Sequence, residues 1–323
     1  MLPFDPLSHA ALIAPLATLL LALGIDALVG EFKGLPHPVA LLGRLISRLD
    51  ERLNRPERSL SLRRGRGILM VAGLVLLAIG LGIGIEVLAA EFGLAWVGEV
   101  LLIASLLAQR SLFEHVRAVK VALETDGLEA AQREVGKIVG RDPKSLDAPG
   151  VARAGIESLA ENFSDGVVAP LVWFVLFGLP GLLVYKTVNT LDSMVGYRTE
   201  KHRDFGWASA RLDDVLNLLP ARLAGLILAH AAGGRMALAL RIMLRDAKLH
   251  KSPNAGWPEA AMAGALNLKL AGPRVYPGQT VDDPWIGDGA PEASVEHMGR
   301  ALNLYLRACA INVLLIAGLA LVR

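Results

Sequence analysis

Residues Ile68–Ala89 read ILMVAGLVLLAIGLGIGIEVLA and carry one ionisable side chain, Glu86. A helix needs about 20 consecutive apolar residues to cross the hydrocarbon core of a bilayer, so this run predicts a membrane span. The composition agrees, because 53% of the 323 residues are hydrophobic but only 5% are aromatic. An apolar content made of Leu, Ala, Val, Ile and Gly is typical of helical membrane proteins.

Three further apolar runs predict spans at residues 10–29, 92–108 and 304–322. No Lys or Arg precedes the first of them, and no small-x-small cleavage pattern follows it. Both features are needed for a signal peptide, so we expect a retained span there.

Two other apolar segments, residues 166–184 and 215–232, contain helix breakers. The motif GLPG at Gly178–Gly181 interrupts the first, and Pro220 with Arg222 interrupts the second. If both segments crossed fully, the basic residues between them would lie outside the cell, against the usual preference. Irregular backbone at membrane depth is tolerated where it is buried in protein. We therefore expect broken or re-entrant helices.

The loop between the first two spans is strongly basic, with Lys33, Arg44, Arg48, Arg52, Arg55, Arg58, Arg63, Arg64 and Arg66. Lys and Arg favour the cytoplasmic side, which predicts cytoplasmic regions at residues 30–67, 109–165, 185–214 and 233–303. The sequence thus predicts an all-α, polytopic helical protein of the inner membrane, with broken or re-entrant helices and cytoplasmic helical and loop regions. We expect residues 1–323 to form a single domain.

The stretch ESLAENFSDG contains a row of acids without a basic residue between them. Glu157, Glu161 and Asp165 are spaced i, i+4, i+8, which puts them on one face of an α-helix. Like charges at this spacing repel, and a divalent cation would relieve the repulsion. Oxygen ligands suit magnesium. A solvated acidic face fits the spacing equally well, and the apolar run that follows favours a site.

Two later clusters combine acids, carboxamides and basic residues. The run YKTVNTLDSMVGY holds Lys186, Asn189 and Asp192, and the run ARLDDVLNLLPAR holds Asp213, Asp214, Asn217 and Arg222. Carboxylates that bind a metal, together with Lys and Arg that bind phosphate, are the groups that phosphoryl transfer requires. Alternatively, either aspartate of the second run forms an ordinary ion pair with Arg211 or Arg222.

The segment HKSPNAG (His250–Gly256) predicts a compact polar turn. Its backbone amides, with Lys251, could bind an anion. The same Ser-Pro-Asn-x-Gly pattern is also selected by turn geometry alone, so both interpretations stay open.

The sequence gives no support to several function classes. The net charge is +2 and no basic stripe carries interleaved aromatics, so the charge gives no argument for a nucleic-acid-binding protein. The single cysteine, Cys309, excludes an internal disulfide framework. The sequence contains no G-x-x-x-x-G-K-[ST] motif, so a nucleotide would not be held by a P-loop.

The runs ESLAENFSDGVVAP, YKTVNTLDSMVGY, ARLDDVLNLLPARL and HKSPNAGWPEAAMAGAL occur in this order, after GLPHPVALLGRLI near the N-terminus. In these motifs the chain resembles the CobD/CbiB family of cobalamin biosynthesis, from about Asp26 to Gly287. The resemblance implies an integral membrane adenosylcobinamide-phosphate synthase. Such an enzyme joins a propionate carboxyl of adenosylcobyric acid to the amine of (R)-1-aminopropan-2-ol or its O-phosphate. ATP is expected to drive the reaction through an acyl phosphate, with Mg²⁺ neutralising the phosphates.

The resemblance and the clusters together give three sets of expected site residues. The catalytic set is Lys186, Asp192, Asp214 and Arg222. The substrate-binding set is Asn162, Asn189, His250, Lys251, Ser252 and Asn254. The metal-binding set is Glu157, Glu161, Asp165 and Asp213. The expected partners are the corrinoid substrate, aminopropanol or its phosphate, membrane lipid, and a second copy or other cobalamin-pathway enzymes, with no nucleic acid. The active site is expected on the cytoplasmic side, with the corrinoid between regions 110–165 and 240–300.

Two other functions remain open on the sequence. A membrane prenyltransferase binds magnesium diphosphate through Asp-rich helices, which Asn189-x-x-Asp192 and Asp213-Asp214 superficially fit. That class usually has three residues between its Asn and its first Asp, so the spacing differs. A non-catalytic membrane sensor of the AmpE-like kind is the second alternative, although such a protein need not keep all these motifs.

Overall fold

A computed structural model describes residues 9–32, 34, 37–92, 94–140, 142–276, 279–281 and 283–322. In this part of the chain thirteen α-helices form: α1 His9–Val29, α2 Pro38–Leu53, α3 Leu60–Glu91, α4 Ala95–Leu106, α5 Gln109–Val121, α6 Leu128–Val135, α7 Ala148–Phe163, α8 Ala169–Val195, α9 Trp207–Leu216, α10 Leu218–Ala231, α11 Met236–Asp246, α12 Gly256–Leu266 and α13 Val295–Val322. Short π-helical turns follow α5 at Ala122–Asp126 and α7 at Ser164–Val168.

Strands are few and short. Strand β1 (Leu270–Ala271) pairs antiparallel with β4 (Trp285–Ile286), and β2 (Arg274–Tyr276) pairs antiparallel with β3 (Gln279–Val281). The predicted all-α class is therefore confirmed.

Four helical stretches are long and apolar enough to cross a membrane: Leu60–Glu91, Ala95–Asp126, Ala148–Val195 and Val295–Val322. A fifth is added if α10 and the helical segment Gly233–Leu249 count as one span bent by 118°. The apolar helix Pro15–Val29 is shorter. These lengths and compositions confirm a polytopic helical membrane protein with broken helices.

The chain divides into two compact units. The first unit comprises Met1–Ala108, Ala169–Asn217 and Ile316–Arg323, and the second comprises Gln109–Val168 and Leu218–Leu315. The chain thus passes from one unit to the other several times.

In the first unit, α3 packs antiparallel to the second half of α8. A Cβ atom on Gly82 would lie 2.5 Å from the Cα atom of Pro180, and one on Gly67 would clash with the carbonyl oxygen of Phe205, so small residues allow the close approach. The core beside this contact is apolar and includes Met70, Leu74 and Leu191. The residues that follow α8 consequently lie at the N-terminal end of α3.

Helix α8 is broken where GLPG predicts a break. Gly178 has φ 64° and ψ −155°, a conformation that is open to glycine and costly for other residues. The Glu86 carboxylate of α3 accepts a hydrogen bond of 2.8 Å from the Leu179 N–H, which begins the second half of α8. The break therefore lies at the far end of α3 from the segment that follows α8.

In the second unit, α12 is almost completely buried, from Pro258 through Leu266. A Cβ atom on Gly264 would lie 2.7 Å from the Cα atom of Ala239 in α11, so the two helices are in near-backbone contact. Helix α7 is also largely buried, and its Phe163 packs edge-on against Tyr305 of α13 at 5.7 Å between ring centroids. The Tyr305 hydroxyl donates to the Gln109 carbonyl at 2.8 Å.

Candidate functional site

The three acids of the ESLAENFSDG motif lie in different environments. Glu157 is 6% exposed, and its carboxylate accepts a hydrogen bond of 2.7 Å from the Ala271 N–H of β1. Glu161 is exposed and Asp165 is half-buried. Helix α7 ends at Phe163 and a π-helical turn follows, so the α-helical spacing does not continue to Asp165. Glu157 is thus a buried acceptor within the second unit and not part of a solvated face.

Asn162 makes its described hydrogen bonds within its own helix. Its side-chain NH₂ donates to the Ser158 carbonyl at 2.9 Å and is 3.2 Å from the Ser158 hydroxyl. The Ser158 hydroxyl donates to the Ile138 carbonyl at 2.9 Å. Asn162 is nevertheless exposed, so its assignment to substrate binding stays a prediction.

The first unit brings together four polar side chains from α8 and the end of α9, which we call the Asp213 cluster: Tyr185, Asn189, Asp213 and Asn217. Asn189 and Asn217 donate to the two Asp213 carboxylate oxygens, at 3.4 and 3.0 Å. The Tyr185 hydroxyl donates to the Asn217 carboxamide oxygen at 3.0 Å. Tyr185 and Asn217 are 0% and 1% exposed, so the cluster is anchored in the protein interior.

The environment of Asp213 makes its carboxyl group unusually basic. Burial is the largest influence and raises the pKa, the hydrogen bonds from Asn189 and Asn217 lower it, and the adjacent Asp214 charge raises it. The net result is that the pKa of Asp213 rises from 3.8 to about 6. Helix α9 is not among the candidate spans. Asp213 can therefore gain or lose a proton close to neutral pH.

The other predicted residues of the first unit lie on the same helices as this cluster, α8 and α9. Asp214 forms an ion pair of 3.2 Å with Arg211, the ordinary pairing that the sequence left open. Lys186 and Asp192 are half-buried on α8, three residues to either side of Asn189, so all three lie on one helix face.

In the second unit, Arg222 and Asn254 come together although 32 positions separate them. The Arg222 Nη1 group donates to the Asn254 carboxamide oxygen at 3.3 Å and to the Leu218 carbonyl at 2.7 Å. The guanidinium lies over the Trp257 ring, 4.6 Å from its centroid. Trp257 thus holds the plane of an arginine that was predicted to bind phosphate.

The turn His250–Gly256 satisfies much of its own hydrogen-bonding capacity. The Ser252 hydroxyl accepts the N–H groups of Asn254 and Ala255, both at 3.2 Å. His250 Nδ1 accepts the Ser252 N–H at 3.0 Å, and its Nε2 lies 3.7 Å from a carboxylate oxygen of Glu259. Three of the amides that could have bound an anion are thus occupied. An anion at this turn would depend on side chains instead.

Lys251 and Asp246 hold neighbouring segments of the second unit in place. Lys251 pairs with Asp283 at 2.7 Å. Asp246 is 3% exposed and accepts the Gly287 N–H at 2.8 Å as well as the Arg245 guanidinium. Neither Asp246 nor Glu259 was singled out from the sequence, because an acid beside an arginine or in an alanine-rich helix gives no signal of burial.

Tyr185, Asn217 and Trp257 are further residues that the predicted site sets omit. Asn217 does carry a sequence signal, since it lies four residues after Asp213 and repeats the pairing of an acid with a carboxamide. Tyr185 and Trp257 carry none, because their partners lie far away in the sequence.

The predicted magnesium ligands do not form a preassembled site. Among the described residues, no three His, Cys, Asp or Glu side chains are grouped so that they could hold a metal ion. Magnesium often binds through one or two carboxylates together with substrate phosphates, which needs no such group. The metal-binding roles of Glu157, Glu161, Asp165 and Asp213 therefore stay predictions.

Comparisons with known proteins identify the family. The family described as CobD/Cbib protein matches residues 19–305. The Cobalamin biosynthesis protein CobD of Rhodobacter capsulatus is 46% identical over 311 residues, 95% of this chain and 97% of that protein. Proteins of the same name from Sinorhizobium sp and Rhizobium meliloti are 48% and 46% identical, over 95% of this chain and 98% and 97% of theirs. No solved structure matches the chain. The chain therefore belongs to the CobD/Cbib protein family.

Proposed function

We propose that this membrane protein of cobalamin biosynthesis is an adenosylcobinamide-phosphate synthase. It would join adenosylcobyric acid to (R)-1-aminopropan-2-ol or its O-phosphate by an amide bond, at the expense of ATP. Family membership over residues 19–305, with relatives named Cobalamin biosynthesis protein CobD, supports the pathway. Those names give no support to the prenyltransferase and sensor alternatives. The basic loop of residues 30–67 favours an active site on the cytoplasmic side of the inner membrane.

Amide formation from a carboxylate and an ammonium group is uphill in water, so the carboxylate must be activated. In the acyl-phosphate route, a carboxylate oxygen takes the γ-phosphoryl group of ATP and ADP leaves. The ammonium group first loses a proton to water, and the amine nitrogen then forms the C–N bond. Phosphate departs with the C–O bond electrons, and the nitrogen gives up a second proton. The protein must therefore supply a proton acceptor for nitrogen and cations for phosphate oxygens.

The observation that carries the proposed chemistry is the basic carboxyl group of Asp213. An efficient general base has a pKa near the working pH, and the pKa of Asp213 is raised to about 6. Asn189 and Asn217 fix both of its oxygens. We assign Asp213 the role of taking the proton from the amine, a role distinct from the metal-binding role that its sequence pattern predicts.

In the second unit we assign Arg222 to the binding of phosphate oxygens, because several contacts orient its guanidinium group. Its described hydrogen bonds use Nη1, and Trp257 fixes the plane of its guanidinium. A planar, oriented guanidinium suits two-point contact with phosphate. Lys251, whose side chain is 70% exposed, would act as a second point charge once its ion pair with Asp283 opens. Magnesium would enter bound to the nucleotide, because the described carboxylates form no cage for it.

The test is an assay of the purified protein in detergent with adenosylcobyric acid, aminopropanol O-phosphate or free aminopropanol, ATP and Mg²⁺. Mass spectrometry should find the amide product and ADP, and the amide should be absent when ATP is omitted. Asp213→Asn should lower kcat at least about 100-fold, in the range of a lost general base. The matched control is Glu51→Gln, an exposed carboxylate of the same unit that should leave activity unchanged. No amide from folded protein with either amine would contradict the proposed function.

A further inference from the structure

The first unit contains a cavity of about 900 Å³ whose lining includes no residue of the Asp213 cluster. The segment between α2 and α3 lines one side, and the segment between α8 and α9 lines the other. Ligand pockets generally have volumes of roughly 300 to 1,000 Å³, so there is room for more than a single inorganic ion.

The lining of this cavity is strongly cationic. Two carboxylates, Glu200 and Asp204, line it together with five basic side chains: Arg58, Arg63, Arg198, Lys201 and Arg203. Lys201 pairs with Asp50, which is not part of the lining, so two positive charges are in excess. A cleft lined by an excess of one sign of charge raises the local concentration of counter-ions, so the cavity favours an anion with more than one negative charge.

Arg63 is the buried member of this set, whereas Arg198, Lys201 and Arg203 are exposed. It is 7% exposed, and its guanidinium donates to neutral oxygens, those of the Asn54 side chain at 2.7 Å and the Lys201 carbonyl. Among the described residues, no carboxylate forms an ion pair with it. A buried cation without a counter-ion is costly, so an anion in the cavity would stabilise the arrangement.

The buried acid Asp50, which pairs with the lining residue Lys201, accepts hydrogen bonds from several groups. Its carboxylate accepts hydrogen bonds from Lys201 at 2.6 Å, from Asn54 at 2.8 Å and from His202 at 3.3 Å. Burial alone would raise its pKa, but these hydrogen bonds outweigh burial and lower the pKa below its ordinary value. Asp50 therefore holds the two lining segments together, and it contacts Arg63 only through the Asn54 side chain.

We propose that this cavity is a binding site for a phosphate-bearing anion. Guanidinium groups match phosphate oxygens in two-point geometry, and four of the five cations are arginines. Helix α3, a candidate span, begins at Leu60 on the cavity wall, so lipid phosphates and soluble phosphates both have access. The ligand is either a soluble polyphosphate such as a nucleotide or the head group of an acidic phospholipid. A nucleotide bound here would be the ATP of the proposed function, so that case rests on the proposed function, whereas a bound lipid head group would be independent of amide ligation.

The test compares two double variants that each remove two positive charges. Arg198→Gln with Arg203→Gln removes exposed cations of the cavity without touching the Asp50 contacts. Arg44→Gln with Arg48→Gln removes exposed cations of α2 outside it. Each protein in phosphatidylcholine nanodiscs is titrated with magnesium-free ATP by calorimetry. Each is also purified from vesicles of equal phosphatidylglycerol and phosphatidylcholine, and the retained lipid is counted by native mass spectrometry.

A soluble ligand is indicated if ATP binding weakens at least about tenfold in the cavity variant but not in the control, as expected for two lost charge-assisted contacts. A lipid ligand is indicated if retained phosphatidylglycerol falls in the cavity variant alone. The proposal is overturned if neither probe binds the wild-type protein, or if both variants bind both probes alike. ATP bound equally by both variants, with amide synthesis intact, would locate the nucleotide elsewhere and leave the proposed function standing.

Discussion

The surroundings of the Asp213 carboxyl group determine its pKa. Two carboxamides hold its oxygens, and one of them is fixed in turn by the buried Tyr185 hydroxyl. Burial nevertheless outweighs these contacts and raises the pKa to about 6. The group therefore keeps its proton more tightly in the folded protein than in the unfolded chain.

This difference predicts how stability depends on pH. The stability that protonated Asp213 contributes is complete below its ordinary pKa of 3.8 and is lost as the pH rises through about 6. Asp213→Asn cannot ionise, so its unfolding temperature should rise relative to wild type across this range and then level off. The shift corresponds to about 3 kcal/mol at most. Thermal unfolding in detergent at several pH values measures it, and a difference that is flat with pH would contradict the raised pKa. Glu51→Gln should follow the wild type.

At this scale the sequence identified several of the polar residues that the structure brings together, but not all of the side chains that they contact. The motifs identified Asn189, Asp213, Arg222 and Asn254, and the structure brings them together as two pairs, each within one unit. The contact of Tyr185 with Asn217 and that of Trp257 with Arg222 were not predictable, because they depend on which helix faces meet. Burial of Glu157 was not predictable either, since its partner is a backbone N–H far along the chain.

At the scale of elements, α8 shows a break that a local motif does predict. Gly178 adopts φ 64° and ψ −155°, and Pro180 follows two residues later. The π-helical turn after α7 is the opposite case. Nothing in ENFSDG distinguishes it from a continued α-helix, so the change of helix type before Asp165 could not be predicted.

Replacing Gly178 tests the break. In Gly178→Ala, the added Cβ atom would lie 2.4 Å from a Glu86 carboxylate oxygen, and the backbone conformation would be strained. We expect a loss of stability of at least about 1 to 3 kcal/mol, measured by thermal unfolding in detergent. Gly80→Ala in α3 is the matched control, since nothing lies within 4 Å of its added Cβ atom and alanine favours a helix. Equal stability of the two variants would mean that α8 is not broken at Gly178.

At the scale of the molecule, the antiparallel pairing of α3 with the second half of α8 bears on the path through the membrane. Helix α3 has 32 residues, a length of about 48 Å, which exceeds the hydrocarbon thickness. Its two ends must then lie on opposite sides if it spans. The contact of Gly67 with Phe205 puts the segment after α8 at the same end as the basic loop. The sequence alone could not decide this, because the number of crossings depended on where α8 breaks.

Single cysteines placed on a Cys309→Ala background test this path. Ser61→Cys and Thr199→Cys, both at exposed positions, should react with an impermeant maleimide in inside-out vesicles and stay unlabelled in intact spheroplasts. Leu94→Cys lies just beyond the other end of α3, is 81% exposed, and should show the reverse pattern. The expected sidedness follows from the basic residues before α3, which favour the cytoplasm. Labelling of residues 61 and 199 from opposite sides would contradict the antiparallel pairing, because residues at one end of two paired helices must share a membrane face.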